Sequence, residues 1–432
     1  MSVAQLFCKV FIGILIVASL TGCSMGGASG STDLPSSLKL TKVRFGMLPY
    51  GDHTYAIIGV KKGWFKEAGI DLDYQCVKVE DVVPFLKGGS LDVASVPPGI
   101  LLASYETAPN LVSFALSDLF QGYCIMGQPD SHCKSYMEMV STGAKPEEAI
   151  KKAAQQLRGK VFAYPAEAAI KPFIDLVVQK SGLQRRDFKS LVLDDALTIN
   201  AMRNKQADFQ VGGAPSQIIL RREGFKPILS AIDLAKTANP SPNSPELASI
   251  LEDGWGTTHE YFQKNHDTVL RLAGVNFRIM KFMHDHQPEA LALHMPYLSQ
   301  VTGQHFSDAE GKIIYEDLDP FYTFEEQREW FHKPKSLYYF QNVNGAILNN
   351  YISQHIYQRT PPHLDTVLVA RDVYDELDQL RKDTEENLAK VDLNSLTEKE
   401  KAKYKIAKSY YDAYDFLDAD RIARELSLES KK

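Results

Sequence analysis

The sequence predicts an α/β protein of two similar lobes in tandem, each an open sheet flanked by helices, followed by a helical C-terminal extension. Three observations carry that prediction. Short β-branched or aromatic runs alternate with amphipathic segments, the pattern of βαβ units. The same succession occurs twice, with the second set beginning near Tyr123. After Pro240, Pro242 and Pro245 the strand-like runs give way, and from Thr258 onward the sequence is mostly helical in pattern.

Taken in order, residues 40–47 (LTKVRFGM) read as a strand and 49–53 as a loop. Residues 54–67 read as one helix, because Ile57, Ile58 and Trp64 share a face. A strand over 70–79, a helix over 82–87, a short buried strand over 92–95, a helix over 98–106 and a strand over 111–116 complete the first set. The second set has strands at 160–164, 190–192 and 209–212, and helices at 168–180, 198–205 and 215–222. In the first of these helices Ile170, Phe173, Ile174 and Val177 recur at helical spacing. Periodicity alone implies open parallel sheets, whose ligands usually sit beyond the carboxyl ends of the strands.

Composition narrows the class. With 432 residues, 44% hydrophobic and 24% charged, the chain has globular composition, and its length suits two to three domains. A net charge of −6 gives no general attraction for polyanions, so no nucleic-acid partner is expected. The one long apolar run, residues 10–20, is too short to span a bilayer, which takes about 20 residues. Lys9 precedes it and Leu20-Thr21-Gly22-Cys23 closes it, which is signal-peptide architecture. That tetrapeptide resembles the lipobox of bacterial lipoproteins, which implies cleavage before Cys23 and acylation of its thiol. Residues 1–22 are then a leader, and 23–38, rich in Gly and Ser, a flexible linker with a reach of roughly 20 Å. The expected location is extracytoplasmic, in the periplasm or at the cell surface, with the N-terminal lipid holding the chain to a membrane.

Cys8 leaves with the leader, so Cys76, Cys124 and Cys133 remain in the body. Cys124 and Cys133 flank the turn sequence Gln128-Pro129-Asp130, and export permits either an oxidised pair or two free thiols. Cys76 reads as a buried apolar side chain.

Two stretches carry a family resemblance. Gly63-Trp64-Phe65-Lys66-Glu67-Ala68-Gly69-Ile70-Asp71-Leu72, followed by Leu86-Lys87-Gly88-Gly89-Ser90-Leu91-Asp92-Val93-Ala94, resembles the corresponding pattern in substrate-binding proteins of the nitrate, sulfonate and thiamine-precursor type. Leu157-Arg158-Gly159-Lys160-Val161-Phe162-Ala163-Tyr164-Pro165 and Ala207-Asp208-Phe209 before Pro215 are similar to the family's second half. Gly254-Trp255-Gly256-Thr257-Thr258 with Tyr261-Phe262 is similar to the segment opening its C-terminal helices. The match runs over about residues 40–345, and nothing after about Thr360 resembles the family. The resemblance implies a two-lobed (type II) periplasmic-binding-protein fold. Lobe one would take 39–122 and 225–360, lobe two 123–224, and a charged helical extension 361–432. It also implies capture of a small-molecule solute between the lobes and delivery to ABC permease subunits, with no cofactor.

The site follows from four strand-to-helix junctions. The first turn of a helix leaves N–H groups unpaired beside a partial positive charge, so ligand oxygens find donors there. The junctions are Pro49-Tyr50-Gly51-Asp52-His53, Ser95-Val96-Pro97-Pro98-Gly99, Pro165-Ala166-Glu167-Ala168 and Gly212-Gly213-Ala214-Pro215-Ser216. Candidate ligand-binding residues are Tyr50, Asp52, His53, Ser95, Val96, Pro97, Pro165, Ala166, Glu167, Ala168, Gly213, Ala214 and Pro215. Tyr50 and His53 offer a ring face and a polar edge. Asp52 and Glu167 suit helix capping as well as ligand contact, and if both face the cleft a cation or amine is favoured over a sulfonate. Trp255 either walls the pocket or packs in the core.

Other chemistry is thin. His284-Asp285-His286 with His294 lacks the spacing of a zinc pair, since Gln287-Pro288 separates two helices; no metal site is expected. There is no nucleophile elbow, Walker loop or Cys-x-x-Cys pair, so no catalytic set is assigned. The alternatives are an enzyme on the same scaffold acting on a heterocycle, with His53 or Glu167 as acid/base, and a ligand-sensing receptor subunit. In the extension, Tyr404, Ala407, Tyr411, Tyr414 and Leu417 draw a stripe down one expected helix, by default a packing face.

Overall fold

The computed structural model describes residues 40–429. The leader over 1–22, the lipidation residue Cys23 and the 23–38 linker fall outside the described residues. Four strands come first: β1 (Thr41–Met47), β2 (Ile70–Cys76), β3 (Val93–Ser95) and β4 (Leu111–Phe120). The next five are β5 (Cys124–Gly127), β6 (Val161–Tyr164), β7 (Lys189–Val192), β8 (Phe209–Gly212) and β9 (Lys226–Ser230), and β10 (Leu251–Thr258) is last. They form two five-stranded sheets, ordered β2-β1-β3-β10-β4 and β7-β6-β8-β5-β9.

Neither sheet is purely parallel, which corrects the periodicity reading. β1 runs parallel to β2 and β3, and β6 parallel to β7 and β8. β10 is antiparallel to both β3 and β4, and β5 to both β8 and β9. The reason lies in the path of the chain. β5 and β10 each begin just after a crossing from one sheet to the other. A strand that enters from the side where its parallel neighbours end must run against them. β9 remains in the second sheet, so the return crossing falls between Ser230 and Leu251 rather than at residue 224.

The first sheet is buried on both faces through β3, β10 and β4, all ten residues of β4 being buried, while the edge strand β2 is largely exposed. Val43, Phe45 and Met47 alternate inward from β1, and Phe45 meets the ring of Trp255 edge-on at 4.9 Å. Trp255 is fully buried and stacks on Tyr55, so its role is core packing. The expected helix over 54–67 is divided into Gly51–Thr54, Ala56–Lys62 and Trp64–Glu67. Gly63 makes the break at φ 77°, a left-handed conformation that costs a side-chain-bearing residue about 1 kcal/mol or more.

The cysteine alternatives resolve to free thiols. Cys76, Cys124 and Cys133 are all unpaired. Cys124 is buried in the ladder between Gly212 and Ser230, and after Gln128-Pro129-Asp130 the chain moves on to the Tyr136–Ser141 helix instead of returning as a strand. The arm that would have carried Cys133 back to Cys124 does not form.

The extension consists mainly of helices Ala370–Ala389, Glu398–Asp412 and Phe416–Glu429. The expected single stripe is cut at Tyr414, where φ is 63° and a turn joins the last two helices. Tyr404 and Ala407 pack in a small satellite core with Leu388, Val391, Leu396, Ala423 and Leu426. Tyr411, Tyr414 and Leu417 pack against the main core with Phe416. Among the described residues no helix is long and apolar enough to cross a membrane.

Candidate functional site

All four junctions open onto one cavity. Its walls come from Tyr50, Asp52 and His53 after β1, Pro97 after β3, Pro165, Glu167 and Ala169 after β6, and Gly213 after β8. Proline in the first turn fixes φ where no N–H is needed, and it begins or nearly begins Pro98–Ala103, Lys171–Ser181 and Ala214–Arg222. Both sheets thus aim their strand ends at a common gap.

Not every candidate faces that gap. Ser95 is buried behind the wall and holds His53 Nδ1 at 2.9 Å. Val96, Ala214 and Pro215 are buried in packing. Ala166 is exposed on an outer groove, and the Ala168 carbonyl accepts a hydrogen bond from Tyr351 Oη at 3.2 Å. Three polar residues outside the sequence candidates also line the cavity: Tyr123 at the crossing, Asp195 opening the Asp195–Arg203 helix, and Asp253 in β10. Asp195 sits at a fifth strand-to-helix junction and was legible by the same rule. Asp253 was not.

Asp253 reaches the wall through a bulge. The register between β10 and β4 shifts between Asp253 and Gly254, which re-aims the side chains around it. A Cβ on Gly254 would lie 1.9 Å from the Ala115 carbonyl oxygen, so only glycine permits this approach.

The lobe-one wall is strongly acidic. Asp52, Asp118, Asp253 and Asp319 are all buried, and six of their carboxylate oxygens lack a hydrogen-bond partner among the described residues: Asp52 Oδ1, Asp118 Oδ2 and both oxygens of Asp253 and of Asp319. Burial first, and the neighbouring charge of Asp52 second, push Asp118, Asp253 and Asp319 well above the usual carboxylate range. Burial lowers the pKa of His53, against the opposing pull of Asp52. Its Nε2 faces Asp52 Oδ2 at 3.7 Å and Asp253 Oδ1 at 3.6 Å. Ligand atoms of Asp52, His53 and Asp253 all lie within 4.8 Å of one another, a set able to hold a metal ion.

Lobe two supplies Glu167 and Asp195. Burial raises Glu167 to about 7 despite hydrogen bonds from Tyr123 Oη at 2.9 Å and Tyr50 Oη at 3.4 Å. Burial also raises Asp195, whose two oxygens accept from Ser216 Oγ at 2.8 and 2.9 Å. Among the described residues no Lys or Arg lines the cavity.

The lobes are drawn together. Tyr50 of the first touches Glu167 of the second, Arg222 pairs with Glu310 at 2.7 Å, and Lys180 pairs with Glu246 beside the return crossing. The cavity measures about 30 Å³, room for roughly two waters. A larger guest therefore enters only if the lobes part.

Residues 36–291, more than half of the chain, match the NMT1-like family. The aliphatic sulphonate-binding protein SsuA of Escherichia coli superimposes with a TM-score of 0.53 at 11% identity, covering 77% of this chain and 99% of that one. The alkanesulfonate-binding protein SsuA of Xanthomonas axonopodis pv. citri, bound to MOPS, gives 0.53 at 14% identity over 77% and 98%. The desulfurization enzyme DszB gives 0.50 at 13% identity over 78% and 99%. Among curated proteins no relative matches the sequence. At these identities the likeness lies in the fold, and with the matched sequence region it places the chain in the NMT1-like family, on the two-lobed periplasmic-binding-protein scaffold.

Proposed function

We propose that the chain is the substrate-binding protein of an ABC importer, anchored outside the cytoplasm through Cys23, and that the solute it captures carries positive charge. One observation supports the second half above all. Asp52, Glu167, Asp195 and Asp253 line the cavity, and among the described residues no Lys or Arg stands with them. A sulfonate placed there would meet four acids, whereas a cation relieves their mutual repulsion.

Capture works by population shift. Glu167 and Asp195 stand on one lobe and Asp52 and Asp253 on the other, so a cation gains all four only when the lobes meet. Fold likeness to SsuA proteins supports the binding role, and DszB shows that the same scaffold also carries an enzyme. An enzyme would use His53 or Glu167 as acid/base and would return altered solute. A binding protein returns it unchanged.

Calorimetry with putrescine and with methanesulfonate, paired with small-angle scattering, tests the reading. The expected result is diamine binding at pH 8, a smaller radius of gyration at saturation, and weaker binding as pH falls through 7 and Glu167 takes up a proton. Methanesulfonate binding in preference to every cation tried would overturn it. For the anchor, wild-type protein should enter the detergent phase of a Triton X-114 separation and Cys23→Ser should stay in water; equal partition of both refutes lipidation.

A further inference from the structure

Resting on the cation-selective reading of the cleft, we infer that the lobe-one wall is a divalent metal site in which Asp52, His53 and Asp253 are the protein ligands. The spacing of the donors carries this. His53 Nε2 stands 3.7 Å from Asp52 Oδ2 and 3.6 Å from Asp253 Oδ1, too far for N–H···O hydrogen bonds, which run about 2.7–3.2 Å. Two donors on a tetrahedral ion with bonds of about 2.1 Å sit roughly 3.4 Å apart. Two acceptors around an ammonium at about 2.8 Å sit roughly 4.6 Å apart. The observed gaps match the metal.

The condition of the donors agrees. Both oxygens of Asp253 and Oδ1 of Asp52 are buried without a hydrogen-bond partner among the described residues, and of these Asp253 Oδ1 is the one that stands 3.6 Å from His53 Nε2. Left to itself such a group has lost its solvation with nothing in return, so an ion that takes up its lone pairs is favoured.

His53 is already oriented as a ligand. Ser95 Oγ lies 2.9 Å from Nδ1, and when Nδ1–H donates to that oxygen the lone pair of Nε2 points at the two carboxylates. Asp118 and Asp319 lie within electrostatic reach of Asp52 and add two more carboxyl groups behind it. One imidazole and two carboxylates suit a borderline first-row ion such as Zn²⁺. Three protein donors leave a fourth position, and the cavity on which these residues open is where it would face.

The test is titration of the full-length, detergent-solubilised chain with Zn²⁺ at pH 7.5 after dialysis against chelator, followed by metal analysis. One equivalent should bind. His53→Gln and Asp253→Asn should each weaken it at least 100-fold, Ser95→Ala about tenfold, and the exposed Glu148→Gln not at all. Circular dichroism of each variant separates lost ligation from lost fold, and Asp253→Asn exchanges a buried carboxyl for an amide of the same shape, so it is expected to fold. Putrescine is titrated in parallel. Diamine binding without zinc binding ends this inference and leaves the proposed function standing; binding of neither ends both. Zinc that binds equally to wild type, His53→Gln and Asp253→Asn also ends it.

Discussion

Two buried groups of carboxylates in this molecule have opposite fates. In the extension, Asp378 is buried against three cations, Arg328 at 2.8 Å, Arg381 at 2.8 Å and Lys382 at 2.7 Å. Burial alone would raise its pKa, but hydrogen bonds from Lys382, Arg381 and Arg328 outweigh that and hold it at about 2. At the cleft wall and just behind it, Asp253, Asp118 and Asp319 have no Lys or Arg partner among the described residues, and their pKa values rise. The same residue type, held against cations near the surface in one place and enclosed deeply without them in the other, is satisfied in the first and left wanting in the second. Charge that packing does not neutralise is charge kept for a ligand.

The sharpest way to break this comparison is to neutralise one member of each group. Asp378→Asn leaves three cations without their carboxylate and should cost about 2 kcal/mol of stability at pH 7. Asp253→Asn replaces a buried carboxyl that has no hydrogen-bond partner among the described residues, and should be neutral or stabilising by about 1 kcal/mol in metal-free protein at pH 8. Urea denaturation measures both, and equal losses would show that the cleft acids are structural after all.

The pH dependence of stability comes next in size. Burial raises Glu252 to about 8 and Glu167 to about 7, so each binds a proton more tightly folded than unfolded. Their contribution is present below the unfolded value near 4.5 and is lost as pH rises through 7 and 8. Metal-free protein should therefore be less stable at pH 8.5 than at pH 5.5 by a free energy on the order of a few kcal/mol, read as a lower melting temperature, and Glu252→Gln should flatten the upper part. Asp378 acts at the other end, its contribution being lost only as pH falls through about 2. A thermal melt that rises steadily from pH 5.5 to 8.5 would contradict the cleft assignment.

The smallest effect concerns the contact across the lobes. Tyr50→Phe removes only a 3.4 Å hydrogen bond to Glu167 and should change stability by less than about 0.5 kcal/mol. It should nonetheless relax the closed form, seen as a larger radius of gyration by scattering. No change in radius would place closure on Arg222, Lys180 and their partners instead.

Most of the strands and the four junctions were legible because they rest on local physics: β-branched runs, a proline in a first turn, an apolar face at helical spacing. The breaks at Gly63 and Tyr414 were missed because apolar spacing continues through them while the backbone does not. β10 was missed as a strand because Gly254 and Gly256 dilute its pattern, and those glycines are there for a close approach visible only across the sheet.

By itself the chain's order of residues determined two α/β sets, the strand ends that make a cleft and the acids Asp52 and Glu167 beside them, since each depends on neighbours within a few positions. Tertiary structure alone decided that β10 and β5 run against their sheets, that Cys124 and Cys133 stay apart, and that Asp253 comes to His53 from 200 positions away. The physical reason is that direction, pairing and donor spacing are set by where the chain re-enters a sheet, and no local periodicity encodes that.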